Sequence, residues 1–400
     1  MRTLSGAWRR AAAGAGLLGT DGTTSPTIFA EMSALAARTG AVNLGQGFPD
    51  EDGPAVVLEA ARDAISAGVN QYPPGRGEAS LREAIAEHQQ RFYGLTVDAE
   101  REVLVTAGAT EALAATILAL VDGPDDEVVV FEPFYDAYAA LVALSGARLV
   151  TVPLHWPDFQ PDLDRLREAV GDRTRLIIVN DPHNPTGTVF TAEVRAEIVR
   201  LADRHDAVIV TDEVYEHLLF DGRRHVPMAS MPGAAERTVS ISSAGKTFST
   251  TGWKIGWLTA PAALVDAVLA VKQFLTYVNG APFQPAVALG LRLGDEVFTG
   301  IAADMQRKRD LLRRGLEAAG FRAARAAGSY FTVADAAPLG ATDAHEFCRS
   351  LADRAGVVAI PLTAFATAEH RADYATLVRF AACKREDVLT EAARRLTVLR

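Results

Sequence analysis

SISSAGKTFSTTGWKIGW, residues 240–257, decides how this chain reads. Among its 40 lysines and arginines only five are lysines, Lys246, Lys254, Lys272, Lys308 and Lys384, and two of them fall in this window. An amine can shed its proton and attack a carbonyl; a guanidinium, with a pKa above about 12, cannot. In a chain that uses Arg for nearly every surface charge, a Lys here implies that an amine is required. Thr238, Val239 and Ile241 are β-branched and predict a buried strand. The run then breaks into Ser242, Ser243, Ala244 and Gly245, small residues that let a flat ligand lie against the backbone. A lysine on a loop at the end of a buried strand suits Schiff-base chemistry.

Composition bounds the answer. The 400 residues, 49% hydrophobic and 22% charged, can build a large core and two domains of a globular protein. A net charge of −10 argues against a nucleic-acid partner. No apolar run reaches the ~18 residues of a membrane span. The two cysteines, Cys348 and Cys383, lack metal-like spacing, so no metal site is expected and both read as reduced and buried in a cytoplasmic protein. Residues 1–26 read as a disordered extension.

From Glu102 onward strand and helix alternate, the pattern of a mainly parallel sheet wrapped by helices. EVLVT (102–106) is a strand, followed by a helix opening at Gly108, Ala109 and Thr110, whose free N–H groups and dipole make an anion site. EVVVF (127–131) leads past Pro133 to Tyr135. RLIIVNDPHNPTG (175–187) ends in a Pro-rich turn that fixes Asn184, and AVIVTDEVYEHLLF (207–220) ends its strand at Asp212, with Tyr215 three positions on. A buried acid at a strand end needs a cationic partner. Upstream, Ser25-Pro26 signals a helix start, VNLGQGFPD (42–50) holds Gly45 and Gly47 in a loop, and NQYPPGRGE (70–78) carries Tyr72 and Arg76. Pro261 to Tyr277 reads as one long helix. After about residue 295 the pattern becomes α+β, with Arg379 on the strand TLVRFAAC (376–383).

VNLGQGFPD, NQYPPG, EPFYDAY, PHNPTG, TDEVY, SSAGKTFSTTGWKIGW and LVRF, in this order, resemble the class I, fold-type-I aminotransferases that use pyridoxal 5′-phosphate. The likeness covers about residues 27–398. It implies an α/β fold with a large cofactor domain (54–294) and a smaller α+β domain made of 295–400 and an N-terminal arm (27–53). It implies that Lys246 forms the imine with the cofactor aldehyde and then acts as acid and base at the substrate Cα. Asp212 would pair with the ring nitrogen, Tyr215 and Asn184 would meet the phenolic oxygen, and Tyr135 would stack on the ring. The phosphate would take the Gly108–Ala109–Thr110 helix start, Ser243, Lys254 and, from the other subunit of a homodimer, Tyr72. Arg379 would clamp the substrate α-carboxylate, with Gly45 and Asn184 beside it. Many relatives carry Arg where Lys254 stands.

The same residues leave three functions open: an aminotransferase with glutamate and 2-oxoglutarate as one pair, a C–S lyase of the same fold, and a non-catalytic binding protein. Retention of Lys246, Asp212 and Arg379 speaks against the last. For the donor, two groups are similar: the broad-range kynurenine, glutamine and methionine aminotransferases, and the N-succinyldiaminopimelate aminotransferases of lysine biosynthesis. FAEMSALA, GFPDEDGP, NQYPPG and YVNGAPFQPAVAL resemble the second more closely. Small residues at Val278–Ala281 leave room for a long donor, and Arg76 could meet its distal carboxylate across the dimer.

Overall fold

The structure is a computed structural model that describes residues 5–400. Its centre is a seven-stranded sheet of β1 (Val103–Thr106), β2 (Glu127–Glu132), β3 (Arg148–Pro153), β4 (Thr174–Asn180), β5 (Val208–Asp212), β6 (Thr238–Ser243) and β7 (Gly256–Thr259). The spatial order is β1-β7-β6-β5-β4-β2-β3. All pairs are parallel except those of β7, which runs antiparallel to both β1 and β6. Strands buried on both faces must be apolar at consecutive positions. Val128, Val130, Leu176, Ile178, Val210 and Ile241 point to one face, against helices Gly108–Leu120, Ala137–Ser145 and Ala262–Lys272. Val129, Phe131, Ile177, Val179 and Ile209 point to the other, against Leu163–Ala169 and Ala192–Arg204. The fold class is therefore the one expected, an α/β protein with a mainly parallel sheet.

Because β2, β4, β5 and β6 run in one direction, their carboxyl ends share one edge, where open α/β sheets bind ligands. A second sheet, antiparallel, joins Ile360–Pro361, Leu377–Ala381, Phe331–Asp335 and Arg322–Ala323. Val42–Asn43 pairs with Val357–Val358, and the Leu44 carbonyl accepts from Ala381 N at 2.7 Å. That stitch carries the loop at 45–48 over the edge of the large sheet.

Three local expectations are corrected. Residues 1–26 do not read as a disordered extension in the part described: Ala7–Gly14 is a helix seated against Ala137–Ser145. The seat depends on Gly14, where a Cβ would stand 2.5 Å from Ala143 Cβ. The next helix, Ile28–Thr39, starts after Thr27 rather than at Ser25-Pro26, because the Thr27 hydroxyl accepts from Ala30 N at 3.2 Å and satisfies an orphan donor. The helix expected to reach Tyr277 stops at Lys272, whose amine bonds the Tyr277 carbonyl at 2.5 Å and folds the chain back.

Candidate active site

One cavity opens where the strand ends meet, with about 730 Å³ of empty space, part of it open to solvent. Gly108, Ala109, Thr110, Tyr135, Asn184, Asp212, Tyr215, Ser243, Lys246 and Lys254 all line it. Residues up to 146 positions apart in the chain thus reach one place at the strand ends.

β6 delivers Lys246. The strand breaks into a single turn, Ala244–Thr247, capped by Ser243 Oγ, which accepts from Gly245 N at 3.2 Å. Lys246 Nζ lies 2.7 Å from Tyr330 Oη and 3.3 Å from the Gly47 carbonyl. Burial pulls its pKa down to about 8. A lysine in that range exchanges its proton near neutral pH.

β5 delivers Asp212, buried at 5% exposure. Burial pushes its carboxyl pKa up, opposed by the Tyr138 hydroxyl and the Val214 N–H, which favour the anion. Tyr138 Oη donates to Asp212 Oδ2 at 2.7 Å. Tyr215, one turn later, lies edge-on to Tyr330 with ring centroids 5.1 Å apart. Burial raises the Tyr135 pKa, opposed by the side chain of Thr110 at the helix start.

The helix start is shaped for an anion. Gly108 has φ +75, and a Cβ there would stand 3.0 Å from Lys254 Nζ. Gly256 must also be glycine, since a Cβ would stand 2.5 Å from the Gly108 carbonyl carbon. Lys254 itself sits in the left-handed region at φ 54, with its amine beside the helix N-terminus. Glu111, the acid that follows this turn, faces away: its carboxylate accepts from Ala107 N at 2.6 Å and from the Thr276 hydroxyl.

Arg379 arrives from the smaller sheet, at 1% exposure. Its guanidinium donates to Asn184 Oδ1 at 3.1 Å and to the Gly45 carbonyl at 2.8 Å, while Nε is buried without a partner. Phe331 and Phe365 lie over it, at 4.0 and 4.6 Å from ring centroid to guanidinium carbon. Burial lowers its pKa to about 10. These contacts put Gly45, Asn184 and Arg379 in one cluster at the cavity.

Tyr72 is not brought there within the chain. It is 82% exposed and borders a separate hollow with Val278–Pro282. Arg76, read as a partner for a donor's distal carboxylate across the dimer, bonds within its own chain to Asp266 and to the Arg101 carbonyl. Two tyrosines went unread in the sequence. Tyr138 lies in the first turn of the helix Ala137–Ser145, three residues after Tyr135, and the two rings meet edge-on at 5.7 Å. Tyr330 had no local signal, since its partners are 84 and 283 residues away. A group of ligand-type side chains lies outside the cavity, His88, His217 and Glu216. There both Glu216 oxygens take hydroxyl donors, from Tyr93 and Ser242.

Residues 39–396 match the family described as Aminotransferase class I and II. A probable N-succinyldiaminopimelate aminotransferase of Mycobacterium tuberculosis is 55% identical over 382 residues, covering 93% of this chain and 96% of that protein. A methionine aminotransferase of Escherichia coli is 40% identical, with 93% and 96% covered. The solved structure of the N-succinyldiaminopimelate aminotransferase from Mycobacterium tuberculosis superposes with a TM-score of 0.90 at 54% identity, over 94% of this chain and 98% of that one.

Proposed function

The chain belongs to the class I and II aminotransferases and is an enzyme of that activity; on that premise we propose that it binds pyridoxal 5′-phosphate in the cavity around Lys246 and takes the amino group from N-succinyl-L,L-diaminopimelate, with glutamate and 2-oxoglutarate as the second pair. The donor set suits the cofactor. A helix start with a lysine amine beside it matches a phosphate dianion. Asp212, a buried acid whose direct partner is a tyrosine hydroxyl, matches a protonated ring nitrogen. When bound, the cofactor supplies a ring that holds the electron pair left as a Cα–H bond breaks.

The chain's own residues do the rest. Lys246 Nζ carries the proton taken from the donor Cα, its lowered pKa letting it act as base and then acid. Asp212 would hold a proton on the ring nitrogen by charge. Asn184 and Tyr215 would hold the ring oxygen, Tyr135 would stack on the ring, and Ser243, Lys254 and the 108–110 turn would hold the phosphate. Arg379 orients the donor carboxylate by a two-pronged bond. Tyr72 completes the phosphate site of a second copy in a homodimer. The two-domain division at 54–294 and the cytoplasmic location belong to the same proposal.

The observation that carries the reading is the meeting of Lys246, Asp212 and Asn184 on one cavity, with Arg379 bonded to Asn184. The similarity to the mycobacterial protein supports the succinylated donor. Small residues at Val278–Ala281 support it too. The test is a donor panel with 2-oxoglutarate: N-succinyl-L,L-diaminopimelate, kynurenine, methionine and glutamine. The succinylated donor should show the highest kcat/KM. Preference for methionine or kynurenine would replace it with the broad-range reading, and breakdown of a C–S donor without glutamate formation would replace it with the lyase.

A further inference from the structure

We propose that Tyr330 is a positioning residue for Lys246, tethering the lysine amine to the carbonyl of Gly47 whenever that amine is free. The inference rests on Lys246 being the reactive amine. Tyr330 enters the strand Phe331–Asp335 of the smaller sheet, at 2% exposure. Its hydroxyl donates to the Gly47 carbonyl and thereby turns a lone pair toward Lys246 Nζ, 2.7 Å away. Nζ reaches the same carbonyl at 3.3 Å. The amine is thus held from one side by two acceptors, which leaves its remaining positions toward the cavity.

The tether is rigid. The Tyr330 ring meets Tyr215 and Phe331 edge-on at 5.1 and 4.7 Å. Gly47 lies so close that a Cβ would stand 2.6 Å from Phe331 Cζ and 3.3 Å from Tyr330 Cε2. A four-carbon side chain otherwise swings freely, and a base displaced by about 1 Å loses much of its rate. Two residues away the Gly45 carbonyl holds Arg379 at 2.8 Å. One loop therefore sets both the amine that moves the proton and the guanidinium assigned to the substrate.

The experiment uses the full chain with Tyr330→Phe, which keeps the ring, and Gly47→Ala, which displaces it. First, the pH dependence of acetic anhydride labelling at Lys246 is followed by peptide mass spectrometry in protein stripped of cofactor. Removing an acceptor from an ammonium favours the neutral form. The labelling midpoint should fall by about one pH unit in both variants, with the melting temperature of Tyr330→Phe near that of wild type. Second, the reconstituted enzymes are assayed. Tyr330→Phe should lose roughly ten-fold in kcat with donor KM little changed, as expected for a misplaced base. Wild-type labelling midpoints with wild-type kcat in Tyr330→Phe would overturn the proposal. So would a kcat loss without any midpoint shift. Borohydride fixation of the cofactor on Lys246 in the wild-type enzyme separates the two readings, since its absence would sink the assignment of Lys246 and not the tether alone.

Discussion

Tyr138 Oη stands 2.7 Å from Asp212 Oδ2, and this hydroxyl favours the anion against the burial that pushes the carboxyl's pKa up. The pair joins the first turn of a helix to the carboxyl end of β5. A hydrogen bond to a charged group is worth about 1.5–3 kcal/mol, roughly ten- to a hundred-fold in an equilibrium. Tyr138→Phe should therefore lose about that factor in kcat or in cofactor affinity. Asp212→Asn should lose more, about two to four decades, since it removes the charge itself. Steady-state kinetics with cofactor titration check both. Asp212→Asn activity within a few-fold of wild type would remove the acid from the site.

The depressed pKa of Lys246 links stability to pH. The value is about 8 in the folded chain against 10.5 for a free lysine. Below about pH 8 both states hold the proton and the burial penalty is present in full. Between pH 8 and 10.5 the unfolded state holds more protons than the folded one, so stability rises with pH in that window. Cofactor-free wild type should gain on Lys246→Met by roughly 1–3 kcal/mol across it. Urea unfolding of the two proteins at pH 7.5 and 10.5 measures the difference. A constant difference would show an amine already neutral, or fully solvated, at pH 7.5.

Tyr72, Phe274, Leu275 and Tyr277 are exposed at 82%, 84%, 46% and 51% in the single chain, and Tyr72 packs edge-on to Tyr277. An exposed aromatic cluster of this kind marks a contact surface. In a homodimer that shares its sites, mixing Lys246→Ala with Tyr72→Phe chains should restore activity. A mixed dimer has one site bearing both changes and one bearing neither. No gain after subunit exchange is shown by mass spectrometry would mean that Tyr72 serves its own chain or none.

Arg76 is one-quarter exposed and bound to Asp266. Its substitution by alanine should lower kcat/KM for all donors alike, by no more than about two-fold, and cost at most about 1 kcal/mol of stability, the range of an exposed ion pair. A loss confined to the succinylated donor would show that Arg76 leaves Asp266 to bind a distal carboxylate in the dimer.

The sequence by itself determined the fold class and the identity of most groups in the cavity. Consecutive apolar residues in 127–131, 175–180 and 207–212 can satisfy both faces of a parallel sheet and little else. An amine after a broken strand and an acid at a strand end announce their chemistry by their cost, because a buried charge must be answered. Local spacing could not reveal what joins those groups. Tyr330 meets Lys246 and Gly47 only after two sheets and the 45–48 loop have packed together, and Arg76 is taken by Asp266 from a helix 190 residues away. The early helix at Ala7–Gly14 likewise depends on its seat against Ala139 and Ala143. An eight-residue helix has too few hydrogen bonds to hold alone, so its order is decided by the surface it meets.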